Sequence, residues 1–204
     1  MQEFIEVPAN NKSLAARKPI YGIGTNDAAY VTQITINGKV HICPYYKVWK
    51  SMFQRCYCIK QKQRQPWYKN CSICTEWHTF SNFKSWMETQ EWEGNDLDKD
   101  FLKQGNKVYS SEFCTFIPHS INTLKCLLSL NNTSSTGVHW SIKRNKFQAQ
   151  CCVNGRNKHL GYFDCKDLAI KKYLSFKKEV VLQAASLQQN LKLKDRLIQL
   201  ANNF

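Results

Sequence analysis

The sequence predicts an α+β protein with two domains, the second of which is a three-stranded antiparallel sheet packed on a helix. Three observations support this prediction. Apolar and polar residues alternate over 147–153, directly before the turn pair Asn154-Gly155, as in a strand that enters a hairpin. Apolar residues recur at helical spacing after Pro44 and again over Trp77–Met87. A polar stretch, residues 129–136, follows neither period.

These patterns divide the chain into four parts. We expect residues 1–20 to be loosely ordered and 129–136 to be a linker, since both are polar and lack periodicity. The first domain then spans residues 21–128 and the second spans 137–204. The last part of the second domain, from Leu191 onward, is amphipathic. It could extend the second domain's helix, pack on the first domain, or pair with another copy, so the oligomeric state stays open.

Charge points to a polyanionic partner. The 204 residues carry a formal net charge of +14. Residues 1–70 contain 11 Lys/Arg and 3 acids, 71–136 contain 5 and 8, and 137–204 contain 13 and 4. Two basic regions therefore flank an acidic one, and the charge predicts a nucleic-acid partner, the alternative being a basic protein whose charge serves solubility alone.

No membrane partner is expected. The N-terminus lacks the pattern of a targeting peptide, and no apolar run approaches the roughly 18 residues that a spanning helix needs. We therefore expect a cytoplasmic protein whose ten cysteines are thiols rather than disulfides.

The first domain should contain a hairpin and two helices. Asn37-Gly38 predicts the hairpin turn within Tyr30–Val40, and an amphipathic helix should follow Pro44. Residues 59–69 are basic and polar, which predicts a loop. The aromatic stripe over Trp77–Met87 predicts a second helix that faces the core.

The second domain should contain strands over 138–143, 147–153 and about 158–163. Asp164 should cap the following helix. Four residues fall on its predicted inner face: Leu168, Ala169, Tyr173 and Phe176.

Such a sheet can enter the major groove of DNA, where Arg suits guanine, Gln suits adenine and Lys suits phosphate. The side chains that could contact DNA are Trp140, Lys143, Arg144, Gln148, Gln150, Arg156, His159, Lys171 and Lys172.

Residues 137–178 resemble the ethylene-response-factor (APETALA-type) DNA-binding domain, in the shorter form appended to phage endonucleases. The resemblance lies in Gly137-Val138, Trp140, Phe147-Gln148-Ala149, the run His159-Leu160-Gly161-Tyr162-Phe163-Asp164, Ala169 and Tyr173. It implies that the sheet binds the major groove. Phe147 stands where the family usually has Trp, and His139 where it often has Arg, so base preference does not carry over.

The first domain is similar to phage proteins related to HNH endonucleases. The matching residues are Trp49, Met52, Arg55-Cys56-Tyr57, Tyr68, Cys74-Thr75-Glu76-Trp77, Phe80, Phe83, Leu97-Asp98-Lys99-Asp100, Gly105-Asn106, Tyr109-Ser110, Cys114 and Asn122. The resemblance implies a ββα-metal core that cleaves phosphodiester bonds with one divalent ion, and a place in the host cytoplasm if the chain is phage-encoded.

The chain departs from that pattern at the catalytic base. It has Asp98-Lys99 where an HNH enzyme typically has Asp-His or His-His, and a lysine is normally protonated. The candidate catalytic residues are Asp98, Lys99, His119 and Asn122. His119 is either a substitute for the missing base or an ordinary surface histidine. Asp98, Asp100 and Asn122 could bind Mg²⁺ or Mn²⁺.

A structural zinc site is a separate hypothesis. Cys56, Cys58, Cys71 and Cys74 form two closely spaced pairs, which is a spacing that zinc sites use. The alternative is that these thiols are small core residues.

Two functions from different classes fit these patterns. The first is a metal-dependent DNA endonuclease of homing type. The second is a catalytically inactive DNA-binding regulator or host-takeover factor. A third interpretation is that the acidic segment 88–100 binds a host protein.

Overall fold

A computed structural model describes residues 4–128, 137–153 and 155–204. The chain forms two compact units. Unit 1 comprises Met1–Glu93 and Leu97–Phe116, and unit 2 comprises Gly94–Asp96 and Ile117–Phe204. The sequence placed the division in residues 129–136, which lie outside the described residues; the contacts place it before residue 117, so the helix after Pro118 belongs to unit 2.

Up to residue 118 the structure has mostly short strands between helices. In chain order these elements are α1 (Asn11–Ala15), β1 (Gln33–Ile36), β2 (Lys39–Ile42), α2 (Pro44–Tyr57), α3 (Ile59–Arg64), β3 (Ser72–Ile73), α4 (Phe80–Glu88), β4 (Asn95–Asp98), β5 (Val108–Tyr109) and β6 (Thr115–Pro118). Strands β1 and β2 pair antiparallel, β3 and β5 pair parallel, and β4 pairs with β6.

The remaining chain builds the predicted sheet and helix. Its elements are α5 (His119–Leu128), β7 (Val138–Ser141), β8 (Lys146–Val153), β9 (Arg156–Phe163), α6 (Lys166–Ser186) and α7 (Leu191–Ala201). The three strands form one antiparallel sheet with β8 in the middle. The predicted α+β class is therefore confirmed.

The core of unit 1 is aromatic. Helices α2 and α4 bury the stripes that the sequence predicted, with Trp49, Phe53 and Phe83 fully covered. The indole Nε1 of Trp49 donates to the carbonyl of Trp77 at 2.7 Å, which satisfies its polar atom inside the core. The hairpin prediction is also confirmed, since Asn37 and Gly38 both have positive φ between β1 and β2.

Two segments of unit 1 are more ordered than the sequence indicated. Residues 1–20 were expected to be loose, but Arg17 donates to the backbone carbonyls of Asn26, Ala28 and Tyr30 at 2.6–2.9 Å. Residues 59–69 were expected to be a loop, but they form α3 and a 3₁₀ turn over Pro66–Tyr68. In both segments the backbone is ordered by polar side chains and local backbone hydrogen bonds. These interactions leave no hydrophobic periodicity in the sequence.

The register of the unit 2 sheet contains one irregularity. Gln150 pairs with His159, whereas Ala149 pairs with Gly161, so Leu160 is an extra residue in β9. Gly161 has φ +133, a conformation that side-chain-bearing residues rarely adopt. This bulge shifts the pairing of every residue between Gly161 and the end of β9.

Helix α6 covers one face of the sheet. It packs on the strands of the sheet, and its buried residues include Ala169, Tyr173 and Val181, while Ala149 of β8 is fully buried as well. The predicted inner-face residue Leu168 is instead 55% exposed. Asp164 does not cap the helix: Cys165 is the N-cap residue, and the Asp164 carboxylate pairs with the Lys146 ammonium at 3.0 Å.

One lysine of α6 lies inside the core. Lys177 is 2% exposed, and its Nζ lies 4.1 Å from the centroid of the Phe204 ring. Burial lowers the pKa of Lys177, and the nearby Cys151 opposes this effect. Helix α7, which carries the amphipathic pattern, packs on α6 and buries Leu193 and Leu197. The tail therefore forms a separate helix packed on α6 instead of a continuation of α6, an arrangement that was not among the three alternatives.

None of the helices in the described parts of the chain combines the length and the apolar character needed to cross a membrane.

Lys177→Met should raise the free energy of unfolding at neutral pH by about 1 kcal/mol. The desolvation penalty of the buried ammonium exceeds the stabilisation from its contact with the Phe204 ring. The lowered pKa means that the unfolded chain binds the extra proton more readily. Wild-type stability should therefore rise with pH from the folded pKa up to the ordinary lysine value, and the variant should lack this rise. Urea unfolding at pH 7 and pH 10 measures both effects. If the free energy of unfolding changed equally with pH in the two proteins, the lowered pKa of Lys177 would be contradicted.

Candidate nucleic-acid interface

The face of the sheet opposite α6, here called the outer face, carries polar and aromatic side chains. Pairing places His139, Gln148 and Tyr162 in one row across the three strands. Gln150 and His159 form the next row on the same face, since side chains alternate along a strand. The outer face therefore contains three predicted residues, Gln148, Gln150 and His159, together with two that the sequence missed, His139 and Tyr162.

Contacts among these side chains hold the outer face in one arrangement. Gln148 Nε2 lies 3.3 Å from His159 Nδ1. The His159 and Tyr162 rings are 4.7 Å apart, and the Arg144 guanidinium lies 5.5 Å from the centroid of the Tyr162 ring. The predicted residues Arg144 and Lys143 are exposed in the turn that joins β7 and β8.

Two predicted contact residues lie on the other side of the sheet. Trp140 pairs with Phe147, and their rings meet edge to face at 4.8 Å. Arg156 pairs with Val153. Both pairs alternate with the outer-face rows, so Trp140 and Arg156 share the face that α6 covers, although Trp140 remains 46% exposed at the edge. Lys171 and Lys172 are exposed on α6, which packs on that face too.

The sheet has a uniform charge. Residues 137–163 include five Lys/Arg and no Asp or Glu. Of these cations, Lys146 pairs with the Asp164 carboxylate just after β9, and the strands themselves contain no carboxylate that would repel a phosphate backbone.

A second cluster lies in unit 2, around His119 at the start of α5. His119 Nδ1 is 3.3 Å from Asp96 Oδ2, and Asn122 Nδ2 donates to the same oxygen at 3.2 Å. The His119 side chain is 80% exposed, so solvent reaches the ring. A carboxylate on Nδ1 leaves Nε2 as the nitrogen that can accept a proton. The sequence predicted His119 and Asn122 but missed their shared partner Asp96, which stood unmarked in the acidic segment.

The loop after β4, in unit 1, is built differently. Asp98 Oδ1 accepts hydrogen bonds from the backbone N–H groups of Asp100 and Phe101, at 2.9 and 2.7 Å. Lys99 is 5% exposed, and its Nζ donates to Asp100 Oδ2 at 3.0 Å. The Asn106 amide donates to the carbonyls of Lys99 and Val108, at 2.7 Å each.

The side chains of this loop do not form the predicted combination of a catalytic base and a metal site. The Lys99 ammonium has donors only, and it already pairs with a carboxylate that was predicted to bind Mg²⁺. Asp98 Oδ1 accepts a hydrogen bond from the backbone of the turn. Asn122 donates to Asp96 and was predicted to bind the ion together with Asp98 and Asp100. Within the described residues, no three His, Cys, Asp or Glu side chains are grouped so that they could hold a metal ion.

The four cysteines of the zinc hypothesis lie in different surroundings. Burial raises the pKa of Cys56 to about 12, with Cys71 as a neighbour, and burial also raises the pKa of Cys74. The pKa of Cys58 is lowered, because the backbone N–H groups at the start of α3 and the Tyr21 hydroxyl stabilise its thiolate. Cys74 instead neighbours Cys114, a buried thiol outside the predicted set. The arrangement of Cys56 and Cys71 is that of core thiols.

Comparisons with protein-family models, with curated proteins and with solved structures gave no match to this chain.

Asn106→Ala should lower the free energy of unfolding by about 1–3 kcal/mol, because two carbonyls of the loop lose their donor. Asn82→Ala is the matched control, since its amide donates to one carbonyl at an exposed site. It should change stability by less than about 0.5 kcal/mol. Urea unfolding compares the two variants, and an equal loss in both would show that Asn106 has no special role in the loop.

Proposed function

We propose that the chain is a double-stranded DNA-binding protein and that the outer face of its C-terminal sheet enters the major groove. The observation that carries the proposal is the row of His139, Gln148 and Tyr162 on a sheet that contains no acidic residue. Gln pairs geometrically with adenine and a nearby Arg with guanine, so the row and Arg144 can contact base edges.

The dimensions of the sheet are compatible with this binding mode. Three strands at about 4.8 Å spacing measure roughly 10 Å between the axes of the outer two. The major groove is about 12 Å wide. Because α6 covers the opposite face, the outer face, where His139, His159 and Tyr162 are exposed, is the one that we propose approaches bases. The resemblance to the APETALA-type domain implies the same mode.

Gln148→Ala should weaken binding to a preferred duplex by about 5- to 150-fold, the range for one lost bidentate base contact. The preferred duplex is obtained by selection from a random pool, and fluorescence anisotropy measures affinity. Gln183→Ala on exposed α6 is the matched control and should leave affinity unchanged. Lys171→Gln tests whether charge behind the sheet contributes. Failure of every duplex to bind, or equal losses in the Gln148 and Gln183 variants, would exclude the proposal.

A second candidate function is phosphodiester cleavage, favoured by the Asp96–His119–Asn122 cluster. An exposed His that a carboxylate orients can take a proton from an attacking water. This assigns the base to His119 rather than to Lys99. The alternative remains a catalytically inactive DNA-binding regulator or host-takeover factor, which the paired Lys99 favours.

If the cluster is catalytic, the protein should nick supercoiled plasmid in the presence of Mg²⁺ or Mn²⁺. His119→Ala should then lower the rate by about 10²- to 10⁴-fold, the usual contribution of a general base. His41→Ala, in β2 of unit 1, is the control and should retain the wild-type rate. Absence of nicking with either ion, in a protein that still binds duplex, would leave the inactive regulator as the function.

A further inference from the structure

The surface formed by residues 60–69 of unit 1 is basic and contains an exposed tryptophan. The indole of Trp67 is 60% exposed, which is unusual for the largest apolar side chain. It stands in the 3₁₀ turn directly after α3. The cations of this segment are Lys60, Lys62, Arg64 and Lys69.

The backbone on either side of the Trp67 ring is held by hydrogen bonds. The Trp67 carbonyl accepts a hydrogen bond from Lys107 Nζ at 2.9 Å, and the turn is closed by Lys69 N donating to Pro66 O at 2.9 Å. The next residue, Tyr68, is half-buried, with the Arg55 guanidinium 5.7 Å from its ring centroid. The structure thus anchors both neighbours of Trp67 while leaving its ring in solvent.

The sequence on either side of Trp67 carries charge of one sign. The sequence contains no Asp or Glu from residue 28 to residue 75, but eight Lys/Arg. Among the ion pairs of the described residues, none involves Lys60, Arg64 or Lys69. Lys60 and Arg64 are four residues apart on α3, so they share one face of that helix.

We propose that this surface binds single-stranded nucleic acid, with an unpaired base stacked on Trp67 and phosphates against Lys60, Arg64 and Lys69. An aromatic platform within a field of cations is the combination that such strands bind. A duplex does not offer a free base face along its length, since each base is covered by its neighbours. An acidic peptide would satisfy the cations but would leave the planar indole without a matching partner. The surface shares no residue with the outer face of the sheet.

The test titrates fluorescein-labelled dT12 with the full chain and follows fluorescence anisotropy. Trp67→Ala and Trp67→Leu should each weaken binding by at least about fivefold, because both remove the stacking plane. Trp67→Phe should restore most of the affinity. Ile59→Ala is the control: Ile59 is 73% exposed in the same segment but has no ring, so affinity should not change.

Charge is tested with Lys60→Gln/Arg64→Gln, which should reduce the slope of log affinity against log salt by about 0.7 per charge. Binding of U12 RNA in place of dT12, with the same loss in Trp67→Ala, supports the proposal with RNA as the strand. Wild-type affinity in Trp67→Ala, full competition by unlabelled duplex, or no binding of either strand overturns it. Gln148→Ala should leave dT12 binding unchanged, so failure of the duplex proposal and failure of this one are separate results.

Discussion

The register of β8 between its two neighbours determines which side chains the C-terminal sheet can present to a partner. Because side chains alternate along each strand, a shift of one residue exchanges the two faces. The bulge at Leu160 introduces such a shift inside β9, so Tyr162 lies beside Gln148 rather than under α6. The outer face, the aromatic row of Trp140 and Phe147, and the contact with α6 all depend on this pairing.

The strands and helices of this sheet could be predicted because their signals are local. The alternation of apolar and polar residues over β8 and the turn pair Asn154-Gly155 predicted the hairpin. The spacing of Ala169 and Tyr173 predicted the buried face of α6. The bulge could not be predicted in the same way. Counting back from a two-residue turn pairs Gln148 with Gly161, and no periodic pattern indicates that Leu160 is the extra residue. The face of Trp140 follows from its pairing with Phe147, a contact between strands that the sequence prediction did not include.

The candidate sites were harder to predict than the fold, because they depend on contacts between distant residues. Lys99 stood out in the sequence as an unusual base, but its pairing with Asp100 emerges only from the loop that Asn106 holds. His119 and Asn122 are close in sequence and were predicted together. Their common partner Asp96 lies 23 residues before His119, so nothing in the sequence indicated that the three side chains meet. Trp67 lay in a segment whose polar composition concealed α3 and the turn that fixes its backbone.

Unit 2 is discontinuous, and this affects how the protein can be dissected. A fragment that begins at residue 117 would retain the whole sheet, α6 and α7, yet it would lack Gly94–Asp96. His119 and Asn122 would then lose the carboxylate that both contact. Such a fragment would preserve the outer face while removing the histidine cluster's orienting group, so the unit cannot be excised as one uninterrupted stretch of chain without changing its chemistry.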